Sequence, residues 1–267
     1  MLATTDNAAS PQLNCGVVPT RTSDPIRLFE IVAAQGAAIL TGVGPSEEEA
    51  RAGARAIFAG RVLALPEAAA VYEGGEKDIR PYASDQPLPL HTDGFAYGAK
   101  APDYFLLSCV RGGDEGGESV LVDAYKMLDV LRIADPELTS FALETDVDQT
   151  EPGMQPYVAP LVLTMPSGRL VVRTPVYCDA RPGSIDPEGD RKLIARWFAT
   201  LESFRRSASR FALSPGELSC IDNYRFLHSR DGYAGPRKLW RVWVWTTGGN
   251  GVPDGILHSD ARYAPRS

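Results

Sequence analysis

The sequence predicts a mainly β protein, a sandwich or barrel with helices packed outside it. Short helical patterns crowd the front of the chain, and many short apolar runs end in glycine or proline turns. One long amphipathic stretch lies between strand patterns. Strands do not alternate regularly with helices, which disfavours a doubly wound parallel sheet.

Taken in order, Ser23-Asp24-Pro25 places a cap residue and a proline at a helix start, and Gly36 stops that helix. Residues 37–41 (AAILT) read as a buried strand. Ser46 and Glu49 have capping-box spacing for a second helix, ending near Gly60. Residues 74–103 are rich in glycine and proline and read as loops. YFLLSCV (104–110) and ESVLVD (118–123) read as strands around a glycine-rich turn. Asp123 or Ala124 opens one helix, and Asp135-Pro136 opens another. Apolar runs on either side of Met165-Pro166-Ser167-Gly168 predict a hairpin over 161–173. Asp186-Pro187 opens a long amphipathic helix over 186–208. SPGE (214–217) is a turn, the apolar run ending at His228 reads as a strand, and so does LWRVWVWT (239–246). Residues 1–20 are expected to be a flexible tail.

Composition narrows the function. Of 267 residues, 34 are acidic and 27 basic, a formal charge of −7. Phosphate neutralisation needs a basic face, so nucleic acid is not an expected partner. No run reaches the ~18 apolar residues of a membrane span. Met1 to Gly16 lacks a basic region followed by an apolar run, so no secretory leader is expected. Cys15, Cys109, Cys178 and Cys220 have no paired spacing, which argues against a zinc or redox motif. A cytoplasmic location follows as the expectation.

There are three histidines, His91, His228 and His258. In Leu90-His91-Thr92-Asp93-Gly94, an extended backbone points residues i and i+2 to one face. His91 and Asp93 can thus offer a nitrogen and an oxygen to one ion. His228, from a distant strand, would complete a two-histidine, one-carboxylate triad of the kind that leaves positions open on octahedral iron(II). The ordinary alternative is a solvated loop pair. His258 sits in a polar stretch and reads as an exposed bystander. Arg237 and Arg241 are four apart, a spacing that shares one face of a strand. Burying both beside tryptophans requires carboxylates, either the chain's own or those of a bound dicarboxylate.

These residues resemble a known family. LPLHTDGFAYGAKAPDYFLLSCVRGGDEGGESVLVDAY (88–125), PGELSCIDNYRFLHSRDGY (215–233) and RKLWRVWVW (237–245) look like the taurine dioxygenase family of iron(II)- and 2-oxoglutarate-dependent oxygenases. Within it, the clavaminate synthase and gamma-butyrobetaine hydroxylase branches are the most similar. The resemblance implies a double-stranded β-helix (jelly roll, cupin-like) with flanking helices, and residues 21–267 as one catalytic domain with N-terminal helices and lid loops. It implies His91, Asp93 and His228 as iron ligands, with Fe(II), 2-oxoglutarate and O2 as cofactor and cosubstrates. It assigns Ser119 and Arg237 to the far carboxylate of 2-oxoglutarate and Arg241 to its metal-side end. Asn223 is expected to hold local structure. The family's usual glycine after the distal histidine is Ser229 here, and the loop to Arg237 is shorter than in some relatives, so a shifted register would give Arg241 the salt bridge to 2-oxoglutarate alone. Asp93 argues against halogenation, because halogenases carry a small residue there.

The implied reaction is hydroxylation of an unactivated C–H bond in an amino-acid-like or natural-product molecule, with release of succinate and CO2. Desaturation, cyclisation and epimerisation would use the same residues. A cupin-like metal-dependent hydrolase or isomerase is the alternative from another class. Tyr82, Ser84, Phe95, Tyr97, Arg225 and Arg230 are the candidate substrate contacts, and loops 74–87 and 150–160 are candidate lids. The partner is a small molecule, and a homo-oligomer is left open.

Overall fold

Alternation of apolar side chains along the strands sets the architecture. The computed structural model describes residues 15–73, 85–150 and 156–260. The chain begins with β1 (Thr20–Thr22), α1 (Pro25–Gln35), β2 (Ala37–Leu40), α2 (Glu47–Ile57), β3 (Val62–Ala64) and β4 (Ala70–Glu73). Next come β5 (Leu88–His91), a 3-10 turn (Phe95–Lys100), β6 (Tyr104–Arg111), β7 (Glu115–Gly116) and β8 (Ser119–Asp123). Then follow α3 (Ala124–Ala134), α4 (Pro136–Glu144), β9 (Val147–Asp148), β10 (Val158–Ala159), β11 (Val162–Thr164), β12 (Leu170–Val172) and β13 (Asp179–Ala180). The chain continues through α5 (Pro187–Ser207), β14 (Arg210–Phe211), β15 (Leu218–Asp222), β16 (Phe226–Arg230), β17 (Tyr233–Ala234) and β18 (Lys238–Thr246).

The protein is mostly β with flanking helices. One sheet runs β1-β2-β15-β6-β18-β3, with β4 also paired to β18, and a second runs β14-β8-β16-β5. Side chains alternate between two apolar environments. On β18, Trp243 and Trp245 join Phe105 of β6, Leu121 of β8 and Phe226 of β16 between the sheets. Their neighbours Val242 and Val244 point outward to Leu28 of α1 and Ala54 and Ile57 of α2. On β8, Val120 and Val122 turn the other way, toward Leu128 of α3, Phe141 of α4 and Trp197 of α5. The period of two thus produces an inner layer and two helix-covered outer layers.

The helix ends follow their caps. Asp24 accepts from Ile26 N at the start of α1. Gly36 ends that helix at φ 84°, and a Cβ there would come within 2.3 Å of the Phe226 ring. The Ser46–Glu49 capping box is formed in both directions. Asp123, Asp135 and Asp186 cap α3, α4 and α5.

Two expectations are corrected. The run ending at His228 is two strands, because Asp222 Oδ1 accepts the N–H groups of Tyr224 and Arg225 and turns the chain. The segment just before residue 20 is not a loose tail. Val17 donates to Leu121 O and Asp123 to Cys15 O, so residues 15–17 continue the edge of β8; residues 1–14 lie outside the described ones. Of the candidate lids, 74–84 and 151–155 also lie outside the described residues. Among those described, no helix is long and apolar enough to cross a membrane.

Trp197, on the inner face of α5, is fully buried. Its replacement by alanine should cost about 3–5 kcal/mol in chemical denaturation. A loss under roughly 1 kcal/mol would contradict this packing.

Candidate active site

His91 closes β5, at the edge of the smaller sheet, and is the register partner of His228 in the middle of β16. The two rings lie 4.2 Å apart between centroids. His91 Nδ1 is 2.9 Å from Pro89 O, which assigns the proton to Nδ1 and turns Nε2 toward Asp93. Asp93 Oδ1 is 3.9 Å from His91 Nε2 and 3.8 Å from His228 Nε2. One donor atom from each of the three residues lies within 4.8 Å of the others. Two metal–ligand bonds of about 2.1 Å span up to roughly 4.2 Å, so both carboxylate–imidazole separations suit a shared ion. Phe105 stacks on His228 at 4.2 Å. Burial, and then His91, push the His228 pKa well below the ordinary imidazole range despite Asp93. The ring is therefore neutral, the form that binds a metal.

Asp93 is 5% exposed and is fixed from three sides. Asn223 accepts its N–H at 2.9 Å and donates Nδ2 to its carbonyl and to Pro102 O. Gly94 follows at φ 74°, where a Cβ would meet Pro102 Cδ at 2.3 Å. Across the gap, Arg241 Nη1 donates to Oδ1 at 2.9 Å and Oδ2 at 3.0 Å, and Trp243 Nε1 donates to Oδ2 at 2.8 Å. Burial pushes the carboxyl pKa up, but Arg241, His228, His91 and the Trp243 indole outweigh it and hold it at about 2. The carboxylate is thus ionised, with Oδ2 on the indole and Oδ1 toward the imidazoles.

Arg241 and Arg237 do different things in this structure. Arg241 is inside, on Asp93. Arg237 precedes β18, and the register against β6 shifts between Lys238 and Leu239. The Arg237 guanidinium lies 5.4 Å from the Tyr233 ring, and that of Arg230 lies 4.6 Å from the same ring. No hydrogen-bond or ion-pair partner of Arg237 occurs among the described residues. Burial, and then Arg230, lower its pKa to about 10. Arg230 also donates to Gln86 O at 2.6 Å and is the register partner of Ser119. Gly117 lies bare against this group, where a Cβ would come within 3.1 Å of Tyr233 Cβ and 3.4 Å of Arg237 Nε. Two guanidinium groups, a serine and a bare glycine suit an external carboxylate.

The remaining candidates are placed variously. Arg225 is bound to Asp123 at 2.6 Å, a scaffold ion pair at the start of α3, which gives no support to a substrate contact. Tyr97 packs edge-on against Trp243 and Trp245, and its hydroxyl bonds the main chain of His258. Phe95 opens the 3-10 turn. Tyr82 and Ser84 lie outside the described residues. His258 is half-buried, not exposed, because its backbone is tied to Tyr97. Sequence reasoning missed Trp243 and Ser259. Trp243 was accessible through alternation, since it lies two residues after Arg241 on the same strand face.

Two histidines and a carboxylate on one face are typical of mononuclear non-haem metal enzymes. The chain belongs to the taurine catabolism dioxygenase TauD, TfdA family, whose sequence model matches residues 20–243. It is 30% identical over 156 residues to a gamma-butyrobetaine dioxygenase of Pseudomonas sp. (strain AK-1), covering 55% of this chain and 39% of that protein. It is 26% identical over 167 residues to the Homo sapiens gamma-butyrobetaine dioxygenase, covering 58% and 42%. The chain thus spans about two-fifths of the length of these curated relatives. In fold it is similar to a taurine dioxygenase from Burkholderia xenovorans, with TM-score 0.62, 21% identity, and 89% and 87% of the two chains covered. It is also similar to asparagine oxygenase in complex with Fe(II), 2S,3S-3-hydroxyasparagine and succinate, with TM-score 0.61, 18% identity, and 83% and 78% covered.

Asn223→Ala would leave the Asp93 N–H and the Pro102 carbonyl unpaired in a buried place. It should destabilise the metal-free protein by about 2–3 kcal/mol in urea. A change within roughly 0.5 kcal/mol, the range of an ordinary surface substitution, would contradict this role.

Proposed function

We propose that the protein is a non-haem Fe(II)- and 2-oxoglutarate-dependent dioxygenase that hydroxylates a C–H bond of a small, amino-acid-like or natural-product molecule. The two facing sheets support a double-stranded β-helix, with residues 21–267 acting as one catalytic domain. The observation that carries the reading is the Asp93 carboxylate, ionised and aimed by one oxygen at the two imidazoles. His91 Nε2, Asp93 Oδ1 and His228 Nε2 would hold the iron, as the separations and donor types suit one divalent ion. Bound together, iron(II) and 2-oxoglutarate supply dioxygen activation coupled to decarboxylation, yielding succinate and CO2.

The chain's own residues supply position and charge. Arg237, with Ser119 across from Arg230, would bind the far carboxylate of 2-oxoglutarate against the glycine floor. Arg241 and Trp243 keep Asp93 ionised and oriented by one oxygen. In this arrangement Arg241 serves the carboxylate ligand and thereby the metal-side end of the site. The sheets exclude bulk water, which strengthens each of these charge contacts. Support for the substrate class comes from the relatives, two gamma-butyrobetaine dioxygenases and a structure holding 3-hydroxyasparagine.

Iron-loaded protein should consume 2-oxoglutarate and release succinate, and a screen of amino acids and betaines should find a compound that accelerates this. His91→Ala and Asp93→Ala should abolish it. Arg237→Met should raise the KM for 2-oxoglutarate on the order of 100-fold, about 3 kcal/mol, while leaving metal binding intact. Absence of any 2-oxoglutarate turnover in iron-loaded protein, or an unchanged KM in Arg237→Met, would contradict the proposal.

A further inference from the structure

Ser259 is 2% exposed, although it belongs to a coil near the end of the described chain. Buried polar groups need partners, and those of Ser259 are specific. Its carbonyl accepts Arg241 Nε at 2.9 Å, and its hydroxyl accepts Trp243 N at 3.2 Å. These are the two residues that hold Asp93. The β18 ladder explains the second bond. On the edge away from β6, β18 pairs with β4 from Lys238 to Arg241 and with β3 from Trp245 to Thr246. Trp243 falls between the two partners, and Ser259 takes up its N–H.

The segment around Ser259 is itself tied down. His258 N donates to Tyr97 Oη at 2.9 Å, and Tyr97 Oη donates to His258 O at 3.3 Å. Leu257 packs on the apolar layer between the sheets, beside Tyr97. Residues 257–259 lie beyond residues 20–243, the part that matches the family, so family membership assigns them no role.

We infer that residues 257–259 form a strap, and that Ser259 is a positioning residue that sets the orientation of the Asp93 carboxylate through Arg241 and Trp243. The inference rests on the metal-centre reading. Held at Nε by the strap, Arg241 has its Nη1 aimed at Asp93. Held at its backbone, Trp243 keeps its indole N–H on Oδ2, leaving Oδ1 to face the imidazoles. A change in the strap therefore reaches the ligand without touching it.

The test is Mn(II) binding to the full chain, followed by calorimetry, with the Co(II) absorption spectrum as a measure of ligand geometry and Tm as a measure of folding. Ser259→Ala removes the acceptor of Trp243 N and should weaken Mn(II) binding about tenfold, as changes outside the ligand shell do, and shift the Co(II) bands. Tyr97→Phe keeps the ring against the tryptophans but releases the strap, and should give a smaller loss in the same direction; it carries the test if Ser259→Ala does not fold. If the wild type binds Mn(II) and both variants bind equally well with an unchanged Co(II) spectrum, the strap inference is overturned, even where Tm falls. A wild type that binds no Mn(II) overturns the metal-centre reading together with it.

Discussion

The site depends on one buried ion pair, between Asp93 on the segment after β5 and Arg241 on β18. A carboxylate removed from water between two sheets costs several kcal/mol unless it is paired and hydrogen-bonded. Here the guanidinium meets both oxygens, and the Trp243 indole meets one of them. The pairing keeps the group ionised and also makes its two oxygens unequal. It bridges the sheets, joining residues 148 positions apart, so the stability of the sandwich and the geometry of the donor set rest on the same contact. Removing either partner would leave an uncompensated buried charge, and Asn223 and Ser259 hydrogen-bond the two partners from outside the pair.

The same physics acts in reverse at Arg230 and Arg237. Arg230 and Arg237 crowd one tyrosine ring, and their mutual repulsion, added to burial, disfavours the charged state of Arg237. A bound carboxylate relieves both penalties at once. The chain thus neutralises its own carboxylate at Asp93, whereas Arg237 meets no carboxylate among the described residues, which supports its proposed place at the far carboxylate of 2-oxoglutarate. That polarity suits a dicarboxylate that spans from a metal to an arginine. It also separates the two arginines, whose spacing placed them on one strand face.

How much of this was legible depended on how local each signal was. His91 and Asp93 were readable because an extended backbone places i and i+2 on one face, a property of three residues. The caps at Asp24, Ser46, Asp123, Asp135 and Asp186 were readable for the same reason. The partnership of Arg241 with Asp93 was not, because no local pattern reports which distant group a buried charge will meet. Strands of two residues such as β7 and β17 carry no period, yet they place Gly117 and Tyr233 against Arg237. Ser259 sits in a coil with neither period nor cap, and its role appears only where β18 changes partners.

The central claim is that Asp93 presents a single oxygen to an ion shared with both histidines, because the Trp243 indole retains the other. Anomalous diffraction from crystals grown anaerobically with Fe(II) tests it most directly. The account predicts one ion bonded to His91 Nε2, His228 Nε2 and Asp93 Oδ1, with Oδ2 still on the Trp243 indole. An ion bound elsewhere, or one held by both Asp93 oxygens with the Trp243 contact broken, would contradict it.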